Sequence, residues 1–83
     1  MTEQLKVVDA FKLNIKFLMF EMGLSKEKLG EKVGGISRQA VDKVLNSDDI
    51  RTSTIGKWAT ALGYEETDLT DPNFKQKYFS KKD

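Results

Sequence analysis

Apolar residues recur at steps of three and four along most of the chain, which is the spacing of one face of an α-helix. The first such stretch predicts a helix from about Asp9 to Met22, and Gly23 is well placed to end it. Four shorter helices are predicted after it. The first is capped by Ser25 and stopped by Gly34-Gly35, and the second runs from Ser37 to Asn46. The third is capped by Thr52 or Ser53 and ended by Gly63, and the fourth covers Glu65 to Leu69. Strand-like alternation is missing before the tail. The pattern therefore predicts an all-α bundle of about five short helices.

The first helix carries a second apolar stripe, roughly opposite its main apolar face. The stripe consists of Leu13, Phe17 and Phe20. After Asp71-Pro72 the tail alternates aromatic residues with lysines, a pattern that leaves helix, strand and disorder open. Its aromatic residues are Phe74, Tyr78 and Phe79. The stripe and the tail are two aromatic-rich surfaces with no other evident packing partner. We therefore expect the tail to cover the stripe, either within one subunit or across a dimer.

The composition narrows the classes of function. The 83 residues include no cysteine and no histidine, which excludes disulfides, thiolate or imidazole metal sites and imidazole acid–base catalysis. No nucleophile–base pair or phosphate-binding loop is visible either, so we expect no enzyme, no metal, no cofactor and no small-molecule ligand. The chain lacks an apolar run of about 18–20 residues and a secretory signal pattern, so we expect no membrane span and a cytoplasmic location.

Charge is distributed unevenly although the net charge is only +1. The segment Ser25–Asn46 carries five cations and three anions, and Asp48–Asp71 carries two cations and six anions. The tail from Pro72 onward adds four cations and one anion. This distribution favours a molecule that is positive on one side.

The predicted helices on either side of Gly34-Gly35 form a recognisable motif. Its elements are Gly23-Leu24-Ser25, Leu29-Gly30, Gly34 with Ile36-Ser37, the run SRQAVDK, Asn46-Ser47, and Ala61-Leu62-Gly63. With these elements the chain resembles the lambda-repressor/Cro-type (Xre-like) helix-turn-helix family from about Asn14 to Leu69. Two departures stand out: Gly35 lengthens the turn by one residue, and Gly30 replaces the usual alanine. A glycine inside a helix usually marks close approach by another backbone, so Gly30 would let the helices come closer.

The resemblance implies a partner, double-stranded DNA, and a set of contact residues. The helix predicted from Ser37 to Asn46 would enter the major groove with four residues that contact bases: Arg38, Gln39, Asp42 and Lys43. Arginine suits guanine and glutamine suits adenine, whereas Asp42 could accept from cytosine, pair with Arg38 or be a plain surface residue. The residues expected to contact phosphates are Lys26, Ser37, Asn46, Ser47, Arg51, Thr52 and Ser53.

The resemblance also implies a function and a division of the chain. Residues 1–71 would form a DNA-binding domain, and residues 72–83 a basic aromatic tail for dimerisation or packing. The function implied is a transcriptional regulator of the phage- or mobile-element repressor type, Cro-like, that binds a near-palindromic operator as a homodimer. The alternative is a protein-interaction module, such as an antitoxin or antirepressor, that uses the same fold.

Overall fold

Six helices follow one another along residues 7–82, the part of the chain that the computed structural model describes. They are α1 (Val7–Met22), α2 (Lys26–Lys32), α3 (Arg38–Leu45), α4 (Thr52–Leu62), α5 (Glu66–Leu69) and α6 (Phe74–Lys82). The predicted all-α fold is confirmed, and the five predicted helices correspond to α1–α5. The sixth helix is the tail, whose conformation the sequence left open. Within residues 7–82, each helix is too short or too polar to cross a membrane.

The core is built around the main apolar face of α1. Phe11, Ile15 and Leu18 of that face are almost fully buried, and the ring of Phe11 lies 5.8 Å from that of Trp58 in α4. Helix α4 buries four apolar residues at helical spacing: Ile55, Trp58, Ala59 and Leu62. Helix α2 packs mainly on α3, α4 packs on α5, and α1 contacts both α5 and α6. Helix α1 thus packs directly against the C-terminal helices α5 and α6.

The helix ends follow the predicted capping residues in two cases out of three. The hydroxyl oxygens of Ser25 and Ser37 accept hydrogen bonds from the backbone amides of Lys28 and Ala40, at 3.2 and 3.1 Å. The prediction that Thr52 or Ser53 caps α4 is wrong. The extended residue before that helix is Arg51 (φ −67°, ψ 145°), so both hydroxyl residues fall inside the first turn. Glycine at position 63, with φ +87°, ends α4 as expected.

A buried amide holds the C-terminal part of the chain against α1. The Nδ2 of Asn14 donates to the backbone carbonyls of Leu69 at 2.8 Å and Asp71 at 3.0 Å. Asn14 is 6% exposed, and these bonds satisfy a polar group that would be costly to bury alone. They fix the link between α5 and α6, so that Phe74 enters the core at 4% exposed.

Helix α6 covers part of the second apolar stripe of α1 within the same subunit. The ring of Phe17 lies 6.2, 5.1 and 5.7 Å from the rings of Phe74, Tyr78 and Phe79. The ammonium of Lys75 also lies 5.5 Å from the centre of the Phe17 ring. The other two members of the stripe, Leu13 and Phe20, are not covered and remain 55% and 83% exposed.

Candidate nucleic-acid interface

The turn between α2 and α3 depends on glycines. Gly34 and Gly35 have φ values of +129° and +74°, a region that residues with side chains rarely adopt. The carbonyl of Gly30 accepts hydrogen bonds from the amides of Gly35 at 2.9 Å and Ile36 at 3.0 Å. A Cβ on Gly30 would lie only 2.3 Å from the carbonyl oxygen of Ile36. The close backbone approach predicted for Gly30 is therefore present, and the additional Gly35 is accommodated in the left-handed region.

Helix α3 is anchored on one face and open on the other. Val41 and Leu45 are buried, at 0% and 4% exposed, beneath the helix. On the outward face three polar side chains are exposed: Arg38, Gln39 and Lys43. Because the buried residues fix the rotation of the helix about its axis, the three polar side chains are presented together.

An ion pair connects the first residue of α2 with the middle of α3. The ammonium of Lys26 donates to Oδ1 of Asp42, and both side chains are about two fifths exposed, at 39% and 40%. This hydrogen bond is the largest effect and holds the pKa of Asp42 below its ordinary value of 3.8; burial opposes it, and the positive charges of Lys26 and Arg38 add to the lowering. The hydrogen-bond partner of Asp42 is thus Lys26, whereas pairing with Arg38 was one of the three alternatives drawn from the sequence.

A second polar group lies between the end of α3 and the start of α4. Two cations, Lys43 and Arg51, border a shallow depression there together with Ser47, Thr54 and the acidic residue Asp49. The hydroxyl of Ser47 donates to the carbonyl of Asp49 and accepts from its amide, which fixes the turn. Among the described residues no side chain caps α4, so the positive end of this helix stays open to an anion.

Comparison with known protein families identifies the family to which the α2–turn–α3 arrangement belongs. A helix-turn-helix family profile matches residues 15–69, well over half of the chain. The chain belongs to the Cro/C1-type helix-turn-helix family. This match confirms the resemblance seen in the sequence. Membership of the family supports a function of the DNA-binding transcriptional-regulator kind. Comparisons with curated proteins and with solved structures give no match.

Within the helix-turn-helix, the residues singled out from the sequence fall into two neighbouring groups. Arg38, Gln39, Asp42 and Lys43 share α3 with Lys26 beside them. Around the link from α3 to α4 lie the remaining residues expected at phosphates: Asn46, Ser47, Arg51, Thr52 and Ser53. Ser37 is exposed, but its oxygen already caps α3. The stripe and tail residues belong to a different surface, formed by α1 and α6.

One cation beside the turn of the helix-turn-helix was missed in the sequence. Lys57 of α4 lies over Gly34, where an added Cβ would be 3.1 Å from its ammonium nitrogen. The sequence separates the two residues by more than twenty positions, and local periodicity only places Lys57 on the exposed side of α4. Its position depends on how α4 packs on the α2–α3 pair, which the sequence pattern does not specify.

Proposed function

We propose that this protein is a sequence-specific transcriptional regulator that binds duplex DNA with α3 in the major groove. The observation that carries the proposal is the outward face of α3, where Arg38, Gln39 and Lys43 are exposed. Buried Val41 and Leu45 hold that face outward. In a helix-turn-helix, the N-terminal residues of the second helix are the ones that contact base edges.

The chemistry of the exposed side chains assigns their roles in base recognition. Arg38 can donate two hydrogen bonds to O6 and N7 of guanine, and Gln39 can pair with N6 and N7 of adenine. Asp42 can accept from N4 of cytosine, and Lys43 extends the contact by one turn of the helix. A well-formed bidentate contact should discriminate against a wrong base by about 1–3 kcal/mol.

Contacts to phosphates would position α3 without reading the sequence. The open N-terminus of α4 and the depression beside it favour a phosphate at Arg51. The full set proposed for phosphates is Lys26, Ser37, Asn46, Ser47, Arg51, Thr52 and Ser53. Such contacts set the register of the protein on the duplex.

The finer description is a repressor of the phage or mobile-element type, acting as a homodimer in the cytoplasm. The Cro/C1-type family supports this description, because helix-turn-helix dimers bind half-sites about one DNA turn, or ~34 Å, apart. Exposed Leu13 and Phe20 on α1 supply apolar surface that a second subunit could bury.

The proposal is tested by titrating a duplex selected by the protein from a random pool, at several salt concentrations, using fluorescence anisotropy. Cationic contacts from Lys26 and Arg51 in each subunit of a dimer would neutralise about four phosphates, so log K should fall against log salt with a slope of about −3.6. Weak binding that does not change with salt would contradict the proposal.

The second candidate is a protein-interaction module, such as an antitoxin or antirepressor. The observation in its favour is Phe20, an aromatic side chain that is 83% exposed beside a groove lined by α1 and α6. The salt titration distinguishes the two functions, because an interaction module lacks the steep dependence that counterion release produces.

A further inference from the structure

The Lys26–Asp42 pair places a negative charge on the surface that the proposed function turns toward DNA. Its carboxylate belongs to α3, one helical turn beyond Arg38, and the side chain is 40% exposed. A DNA-binding surface gains affinity from cations that replace the counterions of phosphate groups. An anion in the middle of it therefore needs a physical explanation.

The pair changes the effective charge of the helix-turn-helix. Ser25–Asn46 carries five cations and three anions, a net charge of +2, and loss of the Asp42 charge would raise it to +3. In the free protein the ammonium of Lys26 already donates to Oδ1 of Asp42. The ammonium keeps other N–H donors, but while it is paired the Asp42 carboxylate offsets its positive charge and repels a phosphate directly, so a phosphate contact from Lys26 is favourable only once the pair is broken.

We propose that Asp42 is a specificity-determining residue that acts through Lys26. On non-cognate DNA the Lys26 ammonium stays bonded to the Asp42 carboxylate and does not contact the phosphate backbone. On a cognate site the amino group of a cytosine replaces Lys26 as the donor to Asp42, and the released ammonium then contacts a phosphate. This inference rests on the proposed function and adds to it a coupling between a base contact and a backbone contact.

The chemistry of the base edges supports this exchange. In the major groove guanine presents only acceptors, and thymine presents an acceptor and a methyl group, so neither can replace the ammonium at Asp42. Adenine also presents an amino group at N6, but its neighbouring N7 acceptor repels a carboxylate, so the amino group of cytosine is the matched donor. The hydrogen bond from Lys26 also keeps Asp42 ionised, since it lowers the pKa of that carboxyl.

The test compares wild type with Asp42→Asn on two duplexes, one of random sequence and one selected by the wild-type protein. On the random duplex the variant should bind more tightly, with a salt slope steeper by about 0.9 for each subunit that gains a phosphate contact. Between 50 and 200 mM salt its affinity should therefore fall about 3.5-fold more than that of wild type per subunit. The ratio of selected-duplex to random-duplex affinity should decrease.

Glu31→Gln is the matched control for net charge. It removes one negative charge from the same segment at an exposed position of α2, about 140° around the helix from Lys26. This control should leave the random-duplex slope close to the wild-type value. An equal change of slope in both variants would show a general field effect and would overturn the proposal.

Lys26→Met supplies an independent variant, because the proposal states that Lys26 contacts DNA only on cognate sites. It should lower affinity for the selected duplex and leave the random-duplex slope unchanged. Adding Asp42→Asn to Lys26→Met should produce no further change of slope. Thermal melts establish that each variant is folded.

The possible outcomes distinguish the proposed function from the proposed coupling between Asp42 and Lys26. If wild type binds DNA with a steep salt dependence but Asp42→Asn has the same slope and specificity ratio, the coupling is wrong and the proposed function stands. If wild type shows no salt-dependent binding to any duplex, both the proposed function and the coupling are overturned.

Discussion

At the scale of single residues, the outward side chains of α3 do not have equivalent surroundings. Arg38 and Gln39 are exposed and extend from the first turn of the helix. Asp42 is half-buried and accepts a hydrogen bond from Lys26. The interactions of Asp42 therefore depend on a side chain of the neighbouring helix α2. Substitutions along one helix face should therefore produce different kinds of binding defect.

Arg38→Ala should relax the preference for one base pair and leave the other positions of the site unaffected. Loss of a bidentate contact to guanine should cost about 1–3 kcal/mol on the selected sequence and little on a duplex changed at that position. Competition among duplexes with single base-pair changes measures this pattern.

Arg51→Ala provides the contrast, because Arg51 stands at the open N-terminus of α4 and is assigned to a phosphate. It should weaken binding to all duplexes alike and make the salt slope shallower by about 1 per subunit. Uniform losses for both variants would contradict the separation into base and phosphate contacts.

At the scale of secondary-structure elements, the angle between α2 and α3 depends on a contact between backbones. Gly30 allows the carbonyl of Ile36 to lie where a Cβ would otherwise be. The Lys26–Asp42 pair provides a second connection between the same two helices. Helix α3 is thus held against α2 by a backbone contact and by an ion pair.

Gly30→Ala should destabilise the protein by about 1–3 kcal/mol, because backbone must move to admit the new methyl group. The matched control is Gly56→Ala in α4, where the nearest atom is the movable Glu66 carboxylate at 3.3 Å. That change should be neutral or stabilise by up to about 1 kcal/mol, since alanine is the better helix former. Chemical denaturation measures both, and equal effects would contradict the close approach.

The start of α6 contains an ion pair that makes a pH-dependent contribution to stability. The Lys77 ammonium lies 2.6 Å from Oδ2 of Asp71, and this bond lowers the pKa of Asp71 and raises that of Lys77 from their ordinary values of 3.8 and 10.5. The stabilisation is therefore present between these values. It is lost as pH falls through the lowered pKa of Asp71 or rises through the raised pKa of Lys77.

Asp71→Asn should slightly lower the Tm near pH 7, and the difference from wild type should vanish well below pH 3.8. The amide oxygen can still accept from the Asn73 amide, so the local turn is preserved. Thermal melts across the acid range measure the difference, and a constant difference at all pH values would contradict the role of this ion pair.

At the scale of the whole molecule, α6 completes the core. Phe74 is buried, whereas Phe79 of the same helix is 46% exposed, although both rings contact Phe17. The buried Asn14 amide fixes the link that leads into α6. Residues beyond the matched family region therefore contribute directly to the packing of α1.

Phe74→Ala should destabilise the protein by about 3–5 kcal/mol, the usual cost of removing a buried aromatic ring. Phe79→Ala is the matched control and should cost much less, because nearly half of that side chain is in water. Urea denaturation compares the two, and similar losses would contradict the placement of α6.

The sequence pattern predicted the parts of this fold that depend on local chemistry. The two serine caps, the glycine stops and the inward faces of α3 and α4 follow from residue type and helical spacing. The cap of α4, the ion pair of Lys26 with Asp42 and the placement of Lys57 depend on how distant segments pack. Such contacts have no periodic signature in the sequence.

The tail shows the same division between local and long-range information. Its aromatic residues indicated packing against Phe17, and the rings do meet. The segment just before the tail is held by Asn14, a polar residue whose type suggested no interaction more than fifty positions away. Long-range hydrogen bonds of this kind are visible only in three dimensions.

Selection of duplexes from a random pool with the purified protein tests whether α3 reads a DNA sequence. We predict enrichment of an inverted repeat whose half-sites are about one helical turn apart, with a guanine preference that Arg38→Ala removes. A pool that remains random after repeated rounds, or a preference that Arg38→Ala leaves unchanged, would contradict this prediction.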